Sequence, residues 1–143
     1  MIPEFYHKIV PTAIPEDYKI VVFQKSIFPE ISIGLAESYC VEKNCDCRHV
    51  FISVILKRES PELISVISYG WESTKFYVKW MHTSKNDDSV KQFKGPTIFM
   101  SYSKDALSSE INRYIVNFLG SNKEYQDHIK RHYKAVKDII GKR

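Results

Sequence analysis

Three runs in the middle of the chain carry the strongest hydrophobic patterning. "HVFISVILK" from residue 49, "ELISVISYGW" from 62 and "KFYVKWMH" from 75 are rich in β-branched and aromatic residues, and polar turns containing "RESPE" and "EST" separate them. Such residues suit a pleated, half-buried backbone, so the runs read as strands of an antiparallel meander. The first two are apolar on both faces and therefore central; in the third, Phe76, Val78 and Trp80 alternate with Tyr77 and Lys79, leaving one apolar face. Upstream, "YKIVVF" (18–23) and "ISIGLAESY" (31–39) read as two further strands separated by a turn at Pro29. Residues 83–97, "TSKNDDSVKQFKGPT", are polar and close on Gly-Pro, which marks a loop continuing to about 104.

The period then changes. In "DALSSEINRYIVNFLG" the residues Leu107, Ile111, Tyr114, Ile115 and Phe118 recur at helical spacing, with Gly120 as a left-handed terminator. Ser121 followed by Glu124 has the pattern of a capping box, which predicts a second helix from about 122 to 140. The expected fold is α+β: a β-rich part over 1–82, a loop over 83–104, and an αα-hairpin over 105–140 packed on the sheet.

At 143 residues, 43% hydrophobic and 27% charged, the chain matches one ordinary domain with a single core. No apolar run approaches the ~18 residues that cross a bilayer. The start, "MIPEFYHKIVP", lacks the basic and then apolar order of a signal peptide, so a cytoplasmic, reducing setting is expected. The net charge of +4 comes entirely from residues 123–143, which hold seven Lys or Arg against three Asp or Glu, whereas residues 1–122 hold fourteen of each. A basic helix attracts phosphate backbones without reading bases, so weak, non-specific nucleic-acid binding is one reading of it and a solvated helix face the other.

All three cysteines fall within "YCVEKNCDCRHV", residues 39–50. In a reducing compartment clustered cysteines are metal ligands or catalytic groups before they are disulfides. Cys45 and Cys47 are too close in sequence for an unstrained disulfide, and the spacing is not that of thiol oxidoreductases. A nucleophile paired with His49 leaves two cysteines unexplained. Zinc accounts for all three, since Cys40, a four-residue gap and then Cys45 and Cys47 supply a loop and a knuckle around one tetrahedral ion. Ordinary buried thiols are the alternative.

One ligand is then missing, and the histidines at 7, 49, 82, 128 and 132 are the candidates. On the last helix Tyr125, Ile129, His132, Val136 and Ile139 form an apolar stripe, with Lys123, Asp127, Lys130, Lys134 and Lys137 opposite and His128 at the stripe's edge. A histidine in that stripe needs a partner, either a metal or a hydrogen-bonding group. His82 continues the apolar face of Phe76, Val78 and Trp80 and is the alternative fourth ligand. Asp46, Arg48 and Glu72 are candidates for a polar pocket beside the metal.

Together "YCVEKNCDCRHV", "SYGWESTKFYVKWM" and "EYQDHIKRHY" resemble a family of small, uncharacterised prokaryotic proteins with Tyr-Cys, a four-residue gap, Cys-Asp-Cys-Arg, then Tyr-Gly-Trp-Glu, Phe-Tyr, Lys-Trp and a late Lys-Arg-His-Tyr. The resemblance covers roughly residues 39–81 and 124–134. It singles out Cys40, Cys45, Cys47, Asp46, Arg48, Trp71, Glu72, Trp80 and His132, and the frequent arginine where this chain has His49 argues against His49 as a ligand. The expectation is a zinc-binding interaction module with a Cys40, Cys45, Cys47, His132 site and an unknown protein or nucleic-acid partner. A metal-dependent enzyme is the alternative, although no H-E-x-x-H, H-x-E or glycine-rich phosphate motif is present.

Overall fold

The long strands β3 (Ile31–Cys40), β4 (His49–Lys57) and β5 (Glu62–Gly70) form the centre of an antiparallel sheet, with β4 between the other two. This computed structural model describes residues 1–14, 18–24 and 30–143, so the expected turn at Pro29 lies outside the described residues. Two short strands, β1 (Pro3–Phe5) and β2 (Lys19–Phe23), both pair with the outer edge of β3, and the four-residue helix α1 (Tyr6–Ile9) follows β1. β2 covers residues 31–35 of that edge and β1 covers 38–40, which leaves a gap at Ala36 and Glu37.

The fold is α+β, but the sheet's last strand is not the third run of the meander. Residues "TKFYVKW" form helix α2 (Thr74–Trp80), because Ser73 Oγ accepts from the Phe76 amide at 3.1 Å and starts a helix. The apolar residues of a run this short fit either period, and burial follows the helical one, with Tyr77 fully buried. The expected loop likewise holds helix α3 (Asp88–Lys94), capped by Asp87, and strand β6 (Thr97–Ser101), which pairs with β5 as the sheet's sixth strand.

Helices α4 (Ala106–Ser121) and α5 (Lys123–Gly141) end the chain. Gly120 stays helical rather than terminating α4, and Asn122 stands between the two helices, its Oδ1 accepting from the Tyr125 amide at 2.9 Å. Ser121 is no cap; its hydroxyl donates back to the Asn117 carbonyl at 2.7 Å, as a serine inside a helix does. Both helices bury their stripes on one face of the sheet, where Ile111, Ile115, Leu119, Ile129, Val136 and Ile140 join Ile33, Leu35, Val50, Ile52 and Ile67 in a single core. Strand alternation puts Ile33, Leu35, Glu37 and Tyr39 on this face. Among the described residues no helix is long and apolar enough to cross a membrane.

Candidate functional site

The loop from Cys40 to Cys47 joins β3 to β4 and doubles back on itself. The Cys45 amide donates to the Glu42 carbonyl at 3.3 Å, and Arg48 takes a left-handed conformation (φ 47°) before β4 begins. Both backbone polar groups of Arg48 are held by tyrosines: its amide donates to Tyr133 Oη at 3.1 Å, and its carbonyl accepts from Tyr77 Oη at 2.6 Å. Thus α2 and α5 together hold the unfavourable backbone that brings Cys47 back towards Cys40.

The three sulfur atoms lie within 4.8 Å of one another and none is in a disulfide. Thiolates around one tetrahedral zinc ion sit about 3.8 Å apart, so the donor set and its spacing fit that ion. Cys40 and Cys47 are buried, and Cys45 is half-buried. Burial, reinforced by the neighbouring cysteines, pushes the Cys47 thiol up to about 12; burial and then Cys40 raise Cys45. Without a metal those two thiols are protonated at neutral pH, and a bound cation would displace their protons. Lys137, on the polar face of the sequence stripe, is not a fully solvated lysine: its ammonium donates to the Cys40 carbonyl at 3.3 Å and the Glu42 carbonyl at 3.5 Å.

No histidine belongs to this sulfur group. His132 does face the sheet, as its stripe requires, but the residues meeting it there are Glu37 and Tyr6. Its Nδ1 lies 2.7 Å from Glu37 Oε1, and its ring stacks on Tyr6 with centroids 3.9 Å apart. The reason is strand parity: Glu37 and Tyr39 point towards α5, whereas Cys40, one residue on, points to the other side. His82, the alternative ligand, is exposed just after α2 with φ 53°. His49 is buried at the start of β4, its Nε2 2.9 Å from the Phe93 carbonyl and 2.7 Å from Ser68 Oγ, with Phe93 stacked on the ring.

Asp46, Arg48 and Glu72 do come together, as a surface ion-pair cluster. Arg48 makes a bidentate pair with Asp46 at 2.9 and 3.1 Å, reaches Glu72 at 3.5 Å, and lies over the Phe76 ring.

A second constellation was not expected from the sequence. Glu37 is buried (7% exposed) at the gap between β1 and β2, and its carboxylate collects four groups. Oε1 accepts from Tyr39 Oη at 2.6 Å and meets His132; Oε2 accepts from Tyr125 Oη at 3.1 Å and lies 3.6 Å from His128 Nε2. Burial alone would raise this carboxyl, but the nearby imidazole of His128, the hydrogen-bonding contacts with His132 and Tyr39, and the charge of His132 bring it down to about 2. Burial and then Glu37 raise both Tyr39 and Tyr125, so their hydroxyls remain donors. The cluster borders a cleft of about 400 Å³ whose walls include Lys19 and Arg131. The signal for it is present in the sequence: an acid at an inward position of "ISIGLAESY", and two histidines one helical turn apart beside an apolar stripe.

Compared with protein-family models, with curated proteins and with solved structures, the chain has no match.

Proposed function

We propose that the chain is a zinc-binding interaction module in which Cys40, Cys45 and Cys47 hold the ion and thereby fasten the β3–β4 loop beside α5. The observation that carries this reading is the convergence of three unbridged sulfurs, two of them buried, within 4.8 Å. Soft thiolates select zinc over hard cations, and Lys137 offsets part of the charge that three thiolates would bring. His132 would have to leave Glu37 to serve as the fourth ligand. In this reading the fourth position therefore belongs to a solvent molecule or to a partner's side chain. The interaction role is supported by the apolar row Ile98, Phe99, Met100 and Tyr102, exposed on β6 and just beyond it.

Elemental analysis of protein purified without added metal tests this. About one zinc per chain is expected, with the thiols protected from alkylation; Cys47→Ser should lose the ion and His132→Ala should keep it. Metal-free protein with three reactive thiols would overturn the reading, and zinc loss in His132→Ala accompanied by exposure of the thiols to alkylation would return His132 to the cysteine ligand set.

A second reading concerns α5, where Lys130, Arg131 and Lys134 are exposed. These charges support weak nucleic-acid binding through phosphates alone, which titration of duplex and single-stranded oligonucleotides at two salt concentrations would reveal as salt-sensitive and indifferent to sequence.

A further inference from the structure

We infer that Glu37, His128 and His132 form a second metal site, distinct from the cysteines, that binds a divalent first-row ion with open coordination positions facing the cleft. Two imidazoles and one carboxylate are the donor set that holds such ions on one side and leaves the other side free. The donor atoms are already gathered: one ligand atom from each of Glu37, His128 and His132 lies within 4.8 Å of the others, and His132 Nδ1 and His128 Nε2 stand 2.7 and 3.6 Å from the two carboxylate oxygens. His128 and His132 are one turn apart on α5, and Glu37 faces them from β3, so two elements of regular structure carry all three.

The surrounding groups do what outer-shell partners of a metal site do. Tyr39 and Tyr125 each donate to one oxygen of Glu37, at 2.6 and 3.1 Å, fixing the carboxylate's orientation. Tyr6 stacks on His132 and Tyr125 stacks on His128, so both rings are held before any ion arrives. The tyrosines could remain in place with a metal bound, because the ion would replace only the contacts of Glu37 with His132 and His128. The cleft leaves room for further ligands, and Lys19 and Arg131 on its walls favour an anionic one, such as a small carboxylate or phosphate.

Nitrogen and oxygen donors suit manganese, which thiolates do not favour, so manganese distinguishes this site from the cysteine loop. Full-length protein is stripped of bound metal with a chelator, its fold checked by circular dichroism, and titrated with Mn²⁺, and free Mn²⁺ is followed by its paramagnetic resonance signal. About one Mn²⁺ per chain is expected to bind at neutral pH. Glu37→Gln should abolish that binding. His128→Ala, at a half-exposed position where folding is checked by circular dichroism, should weaken it by at least ~10-fold, and Tyr125→Phe by ~10-fold through loss of orientation. Cys47→Ser should leave it unchanged. Absence of Mn²⁺ binding at millimolar concentration, or equal binding by wild type and a folded His128→Ala variant, would show that the cluster is a hydrogen-bonded network only.

Discussion

Tyr77 donates from its phenol to the carbonyl of Arg48 at 2.6 Å, and the ring that makes this bond lies against Gly70, the last residue of β5. A Cβ at Gly70 would collide with that phenol. Gly70→Ala is therefore expected to displace Tyr77, which is fully buried, and to cost about 1–3 kcal/mol as an overpacked core position. Tyr77→Phe should cost about 1–3 kcal/mol by leaving the Arg48 carbonyl without its donor. Denaturant unfolding of the two variants checks both figures. Loosening of the cysteine loop should accompany each, visible as faster alkylation of the thiols.

Asn122, and not Ser121, caps α5. Asn122→Ala should destabilise the protein by about 1 kcal/mol, whereas Ser121→Ala should be close to neutral because its hydroxyl only returns to its own helix. Paired thermal melts distinguish the two; the reverse order would restore the capping box that the sequence suggests.

His49 should make the fold sensitive to mild acid. Burial holds its imidazole down to about 3, against an ordinary value of 6.5, and its Nδ1 has no partner to receive an added proton. The unfolded chain therefore binds a proton that the folded chain refuses throughout that window. The contribution of His49 is complete above pH 6.5 and is lost as pH falls from there towards 3, by about 1.4 kcal/mol per pH unit. His49→Phe removes this dependence while Ser68 Oγ continues to donate to the Phe93 carbonyl at 2.8 Å. Unfolding free energies at pH 7 and pH 5 should differ by about 2 kcal/mol more in wild type than in the variant.

Removing metal should act locally. A chelator is expected to lower the melting temperature and to free the loop between β3 and β4, leaving the central strands intact, since their core does not include the thiols. In the metal-free protein Cys45, half-buried, should be alkylated before the buried Cys40 and Cys47, an order that mass spectrometry of timed samples would give.

How far such features can be read from the sequence depends on how local they are. β3, β4 and β5 are legible because β-branched residues fill both faces of long runs, and α5 is legible because a stripe repeats over nineteen residues. The run at 74–80 is too short for its period to decide, and the deciding feature is a single bond from a serine side chain. β6 is nearly all exposed and so has no alternation to detect. The cysteine cluster spans eight positions and is visible by inspection, whereas the contact between Glu37 and His132 spans 95. Periodicity correctly turned His132 inward; only strand parity could say that it would meet a carboxylate there instead of sulfur.

The outer edge of β6 bears on how the protein behaves when concentrated. No strand covers it among the described residues, and "TIFMS" contains neither a charge nor a proline, the devices with which edge strands usually discourage chance pairing. Two copies laid edge to edge would complete each other's ladders and remove Phe99 and Met100 from water in the same step. Colloidal stability then rests on the repulsion supplied by the net charge of +4, so salt, which screens that repulsion, is expected to promote self-association where it would normally be added to improve handling.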